Sequence, residues 1–404
     1  MAHEWRQAIV AGAGPAGLAA AAVLKRRGLD VLVIERGPAI GMRWRERYEG
    51  LRLNTMRVFS TLPGYRFGRR YGRYPRREEL VGYLERYADH HRLEIRFGTE
   101  LRRVDRADDG HWRLDTSEAP LVARHAVVAT GYDAVPSMPR WPGSDSFAGE
   151  LIHAADFRAA ADYAGREVLV VGAGNTGIDI AGHLLEAGAR VTVSMRTPPN
   201  IFPRDWGPFP LQPLAIAGER QPAKISDAIG FLLQRRIFGD LASYGIPRAP
   251  EGYESKFRRT FTSPAVDDGF VQALKAGRTR VCAAIERFEG EDVVLTDGTR
   301  LTPDAVICAT GYRRGLEPLV GHLGVLRPDG LPIRYKGAPE LPSAPRLYFA
   351  GFWGGPGGQI RWAPIHARRI ARAAARDRKR IGRADDARLR QPSARVAPSD
   401  VRVR

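Results

Sequence analysis

Cysteine is almost absent: there are two in 404 residues, Cys282 and Cys308. Both stand in apolar runs that read as strands, too few for a disulfide framework, which points to a reducing, cytoplasmic location. No Cys-x-x-Cys pair occurs, and this excludes enzymes that work through a redox-active dithiol. Long apolar runs are missing too. Nothing approaches the roughly 18 uncharged residues that span a bilayer, and Met1 to Arg6 lacks the apolar segment of a signal peptide. No Ser-His-Asp arrangement, metal-ligand cluster or pair of carboxylates is apparent, so no metal site is expected and the chemistry falls to a bound cofactor.

Lysine is scarce as well, six of 63 basic residues, so arginine supplies nearly all of a formal charge of +18. Such a charge would suit nucleic acid or an anionic membrane, but its distribution argues otherwise. Thirteen Arg and Lys stand against four Asp from Ala367 to Arg404, which puts +9, half of the excess, in one terminal stretch. The body is modestly basic, and no nucleic-acid partner is expected. After about Ile381 helical periodicity gives way to Arg, Asp, Ser and Pro, so 384–404 is expected to be a disordered basic tail.

What is present is a repeated unit. Gln7 to Ala11 is a short β-type run that ends in Gly12-Ala-Gly14-Pro15-Ala16-Gly17; an Ala- and Leu-rich stretch continues to Arg27, then Val31 to Glu35. This is strand, glycine turn, helix and second strand in about 30 residues. The same order returns at Glu167 to Val171, Gly172-Ala-Gly174-Asn175-Thr176-Gly177, a helix to Ala187, and Arg190 to Met195. A subtler repeat is Ala-Thr-Gly-Tyr after an apolar run, at Ala129 to Tyr132 with Thr130 and Gly131, and at Ala309 to Tyr312 with Thr310 and Gly311. Each is expected to close one nucleotide module where the chain passes between domains. Pro198 to Pro222 reads as an irregular excursion, and Ile225 to Ala242 as a helix that either packs in the core or walls a substrate tunnel.

The two units differ at the end of the second strand. In each turn, the first glycine permits the tight bend, the second lets backbone approach a pyrophosphate, and the third allows close helix packing at an N-terminus rich in N–H donors. Glu35 ends the second strand of the first unit, where a carboxylate accepts hydrogen bonds from an unphosphorylated ribose, as in the adenosine half of FAD. At the matching place in the second unit stand Ser194 and Arg196 and no carboxylate, which suits the 2′-phosphate of NADPH.

Between the units lies Phe147-Ala-Gly149-Glu-Leu-Ile-His153-Ala-Ala-Asp-Phe157. Its spacing resembles the fingerprint of the class B flavoprotein monooxygenases, which include the flavin-containing monooxygenases, the YUCCA-type plant enzymes and the Baeyer–Villiger monooxygenases. The resemblance runs from about residue 7 to 375. Gly41-Met42-Arg-Trp44 with Tyr48 to Thr55 looks like the flavin-contacting stretch of the YUCCA-type and flavin-containing subgroup, and Tyr74 to Tyr83, Asp240 to Phe261 and Ala350 to Gly355 are also similar to YUCCA-type sequence. Two departures stand out. Met42 replaces the usual glycine before the tryptophan, and the histidine motif ends in Phe157, where Baeyer–Villiger enzymes carry tryptophan; the second tilts toward heteroatom oxidation. The resemblance implies that NADPH reduces FAD, that reduced flavin captures dioxygen as a hydroperoxyflavin, and that this species oxygenates a small molecule. It also places Asn54, which otherwise reads as a turn-capping loop residue, beside flavin and retained NADP+, as the one catalytic side chain expected.

The expected fold is α/β with two Rossmann-like domains: an FAD domain from 1–145 and 305–383, an inserted NADPH domain from 146–304, and the tail. Expected cofactor contacts are Gly12, Gly14, Pro15, Ala16, Gly17, Glu35, Arg36, Trp44, Arg52, Asn54, Thr130, Gly131 and Gly351, and, for NADPH, Gly172, Gly174, Asn175, Thr176, Gly177, Ser194 and Arg196. Thr310, Gly311 and Tyr312 complete the set. The expected reaction is oxygenation of a nitrogen or sulfur centre by O2. Baeyer–Villiger oxidation of a ketone, an NADPH oxidase making hydrogen peroxide, and nucleic-acid binding through the tail are the alternatives. The expected partners are a small-molecule substrate and O2, with a homodimer as the expected assembly where the chain associates.

Overall fold

A computed structural model describes residues 4–333 and 341–381. The basic tail expected at 384–404 lies outside the described residues. Two parallel-centred sheets dominate. In the first, β1 (Glu4–Ala11), β2 (Val31–Ile34), β3 (Glu94–Arg96), β4 (Leu101–Arg106), β5 (Trp112–Thr116) and β6 (Leu121–Val128) run in the spatial order β3-β2-β1-β6-β5-β4. The central strands read as unbroken apolar runs because both faces are covered, one by the helix Pro15–Arg26 and the other by Val104 and Leu114 of the β4–β5 hairpin together with Leu316 and Val320. Strand β6 has β5 antiparallel along its first half and Leu347–Phe349 parallel along its second, in register Ala126 with Leu347. Both ends of the chain therefore build this module.

Helix α1 (Pro15–Arg26) starts on Pro15, whose missing N–H and fixed φ suit a first helical position, and α2 (Met42–Arg45) and α3 (Arg77–His90) follow it in the same module. Its alanines Ala19 to Ala22 are fully buried and let the helix Ala363–Ile381 pack close, through Ala367, Ile370, Ala371 and Ala374.

The second sheet repeats the design. After the two-residue strand β7 (Val135–Pro136), β8 (Glu150–His153), β9 (Glu167–Val171) and β10 (Arg190–Ser194) join Thr279–Cys282 and Ala305–Cys308, all parallel. Ala305–Cys308 lies between β8 and β9, in the place β6 holds in the first sheet. The boundary expected at 305 is thus displaced: this strand belongs to the inserted module, and the return to the first module comes after Cys308. The outgoing and returning chains pair antiparallel, Val135 with Arg313 and Pro136 with Tyr312, as a two-stranded ribbon joining the modules.

Candidate active site

The first glycine turn is shaped as a cradle. Gly12 has φ +114° and a Cβ there would lie 2.4 Å from the Ala129 carbonyl oxygen; on Gly17 it would lie 1.9 Å from that of Gly12. A Cβ on Gly14 would meet nothing within 4 Å among the described residues, which leaves its backbone open to a phosphate. The Glu35 carboxylate accepts the N–H groups of Ala13 at 2.7 Å and Gly37 at 3.0 Å, so it is fixed where a ribose would dock with acceptor capacity to spare. Among the described residues the buried Thr130 hydroxyl finds no partner, and a Cβ on Gly131 beside it, at φ +102°, would meet nothing within 4 Å. A dinucleotide with an unphosphorylated ribose fits this donor and acceptor set. Pro15 and Ala16 open the helix, Gly351 sits over Ala16, Trp44 lines the adjoining cavity, and Arg36 points to solvent.

The second turn superposes the same logic. A Cβ on Gly172, φ +107°, would lie 2.7 Å from the Ala309 carbonyl oxygen; on Gly177, 1.8 Å from that of Gly172; Gly174 again faces open space. Gly174 precedes α4 (Asn175–Glu186). Arg196 is exposed just past β10, and no carboxylate among the described residues pairs with it, so its guanidinium is available to a phosphate. Ser194 departs from expectation. It is 1 % exposed and its hydroxyl donates to the Ala283 carbonyl at 2.7 Å, so its proton is committed to the sheet. Thr310 and Tyr312 also serve elsewhere: Thr310 donates to the Ser137 carbonyl at 2.6 Å, and the Tyr312 hydroxyl accepts from Arg47 at 2.8 Å. They hold the inter-module ribbon, unlike the free Thr130. His153 joins them. Its Nδ1 accepts the Ala155 N–H at 3.0 Å, leaving Nε2 to donate to the Gly311 carbonyl at 3.1 Å, and burial keeps its pKa below the ordinary imidazole value.

Between the cradles lies a cavity of about 630 Å³. Trp44, Tyr48, Arg52 and Asn54 face it from the first module, and Asn175 and Thr176 from the second turn. Helix α6 (Ala223–Phe238), preceded by α5 (Gln212–Gly218), closes a side with Ile225, Ile229 and Leu233. Ile225 and Ile229 are about half exposed, at 49 % and 48 %, which favours the tunnel-wall reading of this helix over the core-packing one.

Asn54 is a bridge between modules rather than a turn cap. Its Nδ2 donates to Asn175 Oδ1 and its Oδ1 accepts from Arg204, both at 3.2 Å. Asn175 Oδ1 also accepts the Val266 N–H at 2.9 Å. Arg204, 8 % exposed, is paired with Asp268 at 2.6 Å and stacks over Tyr74. Gln212 ties α5 across the gap, accepting the Met56 N–H and donating to the Gly357 carbonyl, each at 2.6 Å. On the far wall Tyr48 donates to Asp179, whose carboxyl burial pushes above the usual carboxylate range. Sequence reasoning missed Arg204, Gln212 and Asp179, and reached Tyr48 only as the start of the stretch that resembles a flavin contact. The first two lie in the Pro- and Gly-rich excursion, where periodicity carries no signal; Asp179 stands among apolar neighbours on α4 and is the one a buried-charge argument would have raised.

Comparisons with known proteins fit this geometry. The family described as pyridine nucleotide-disulphide oxidoreductase matches residues 9–205. Cys282 and Cys308 are free thiols on strands separated by β10 and β9, so that family's disulfide chemistry has no counterpart here. Indole-3-pyruvate monooxygenase YUCCA1 of Oryza sativa subsp. japonica is 34% identical over 324 residues, 79% of this chain and 80% of the relative. Among solved structures, a cyclohexanone monooxygenase from Rhodococcus sp. Phi1 bound to NADP+ superposes with a TM-score of 0.73 at 19% identity, covering 93% of this chain and 85% of the other. A flavin-containing monooxygenase from Stenotrophomonas maltophilia gives 0.69 at 22% identity, covering 93% and 99%. No helix among the described residues is long and apolar enough to cross a membrane.

Proposed function

The chain belongs to the class B flavin-dependent monooxygenases, which use FAD, NADPH and dioxygen on a small molecule, and on that premise we propose how its own residues divide the work. Gly12, Gly14, Gly17, Glu35, Thr130 and Gly131 hold FAD; Gly172, Gly174, Gly177 and Arg196 hold NADPH. Bound flavin supplies hydride acceptance and oxygen activation, while the protein orients the partners and limits water. The substrate occupies the cavity walled by α6, where the apolar Ile225, Ile229 and Leu233 meet the polar Asn54 and Arg204. A cytoplasmic location accords with the two free thiols.

The observation that carries this reading is the Asn54 amide, held between Arg204 and the second glycine turn at the point where the two cradles converge. There it offers one donor and one acceptor to whatever reacts beside it. We read the oxygenated atom as nitrogen or sulfur, because Phe157 stands where ketone-oxidising relatives carry tryptophan. A carbonyl target is the second reading, favoured by a relative named for a 2-oxo acid and by Arg47, Arg52 and Arg204 around the cavity. Paired assays with a thioether or amine and with an aryl 2-oxo acid separate the two: product should match NADPH consumed for one class, while peroxide from both would leave only oxidase activity.

Because the Tyr48–Asp179 bond still holds its segment, Asn54→Ala should leave reduction by NADPH near wild type and cut product formed per NADPH about tenfold. Losing two hydrogen bonds of roughly 0.5–1.5 kcal/mol each supplies the needed 1.4 kcal/mol or so per decade. Peroxide should rise to match. Unchanged coupling would return Asn54 to the status of a loop residue.

A further inference from the structure

Helix α4 presents three polar side chains at i, i+4 and i+8: Asn175, Asp179 and His183. That spacing puts them on one face. The segment Tyr48 to Asn54 of the first module lies along it. Asn54 bonds Asn175 at 3.2 Å, Tyr48 donates its hydroxyl proton to Asp179, and the Tyr48 ring meets His183 edge-on at 5.8 Å between centroids. Gly50 is pressed so close that a Cβ there, at φ +81°, would lie 2.9 Å from the His183 ring. The Glu49 N–H is fixed on the Arg158 carbonyl at 2.8 Å.

Packing alone would be served by apolar groups at such a contact, because burying a hydroxyl and a carboxyl costs desolvation. What a polar pair adds is a single register, since any slip strands both partners. Here the register matters. The N-terminus of α4 carries the second glycine turn, and the segment it docks ends in Asn54. His183, Arg204 and Asp268 face Asp179, and Arg47 lies behind Tyr48.

We propose that Asp179 is a positioning residue for electron transfer and oxygenation: through Tyr48 it holds the 48–54 segment in one register on α4, and so fixes the flavin cradle against the NADPH cradle. This rests on the assignment of the two cradles to FAD and NADPH. With the register kept, NADPH, H+, O2 and substrate give NADP+, water and oxygenated product; with it lost, NADPH, H+ and O2 give NADP+ and hydrogen peroxide.

Three single variants, and the double variant that combines Tyr48→Phe with Asp179→Leu, test it in the full-length chain. Tyr48→Phe keeps the ring and removes the hydroxyl, Asp179→Leu removes the acceptor, and Asp179→Asn keeps an acceptor oxygen without charge. In the purified protein, hydrogen exchange at the amides of Glu49 and Leu53, held by the Arg158 and Pro75 carbonyls, should quicken roughly tenfold in the first two variants and stay near wild type in Asp179→Asn. In holoenzyme, anaerobic reduction by saturating NADPH should slow by roughly the same factor in the first two, and the double variant should be no slower than Asp179→Leu alone. Unchanged exchange and reduction in Tyr48→Phe and Asp179→Leu would overturn the proposal, and so would an Asp179→Asn as impaired as the leucine variant. If wild-type flavin is not reduced by NADPH at all, the cradle assignment fails instead, and the exchange result still decides the interlock.

Discussion

Gly17→Ala should yield a colourless protein, while Gly177→Ala should yield a yellow one that NADPH reduces poorly. The two positions are equivalent in their modules, and neither has room for a methyl group. A Cβ on Gly17 would sit 1.9 Å from the Gly12 carbonyl oxygen, and one on Gly177 would sit 1.8 Å from that of Gly172. Both obstacles are backbone, so the helix must move away from the turn. Overpacking of this kind costs roughly 1–3 kcal/mol, and the shift also withdraws the N–H groups that would meet the pyrophosphate. Flavin occupancy in Gly17→Ala should therefore fall by more than about tenfold, measured as the ratio of visible to protein absorbance after purification with added FAD. Gly177→Ala should keep near-stoichiometric flavin and show a matching rise in the NADPH concentration needed for half-maximal reduction. Gly14→Ala and Gly174→Ala are the informative controls, since a Cβ at either meets nothing within 4 Å in the free protein: any loss there reports a ligand approaching that backbone. Full flavin in Gly17→Ala would mean that the first turn does not hold it.

The glycine turns are legible in the sequence because their signal is local. Strand, turn, helix and second strand lie within about 30 residues, and the steric demand at Gly12 and Gly172 is set by the geometry of that unit. The hairpin of β4 and β5 leaves little trace, since its alternation is short and broken by charge. The strand Ala305–Cys308 reads as a buried run, yet its neighbours in the chain suggest the wrong sheet. Sequence shows that a run is buried on both faces, and only the crossover shows which neighbours bury it. The site divides in the same way. Glu35 and Arg196 can be placed because they close strands at fixed offsets from a glycine turn. The polar bridge cannot, because Asn54 finds Asn175 across 121 positions and Arg204 across 150. Ser194 shows the opposite error: it sits at the expected offset, but alternation along β10 turns its side chain inward, where the Ala283 carbonyl takes its proton.

That inward turn sharpens the remaining prediction, which concerns the choice between the two nicotinamide dinucleotides. With the Ser194 hydroxyl engaged inside the sheet, recognition of a 2′-phosphate falls on Arg196, exposed at the strand end and without a carboxylate partner among the described residues. A charge-assisted bond of this type contributes roughly 1.5–3 kcal/mol, or about a 10- to 150-fold preference for NADPH over NADH. Arg196→Ala should raise the Michaelis constant for NADPH by a factor in that range and leave that for NADH nearly unchanged. Arg196→Lys should recover part of the preference, because an ammonium supplies charge without the two-pronged fit of a guanidinium. Ser194→Ala should alter the NADPH to NADH ratio by no more than about twofold, since the bond it loses lies within the protein. Initial rates of flavin reduction with each nucleotide, measured across wild type and these three variants, give the ratios directly. Equal losses with NADPH and NADH in Arg196→Ala would show that the guanidinium supports the loop and does not read the phosphate. A Ser194→Ala that loses the preference as fully as Arg196→Ala would show that β10 opens when NADPH binds and offers its serine after all.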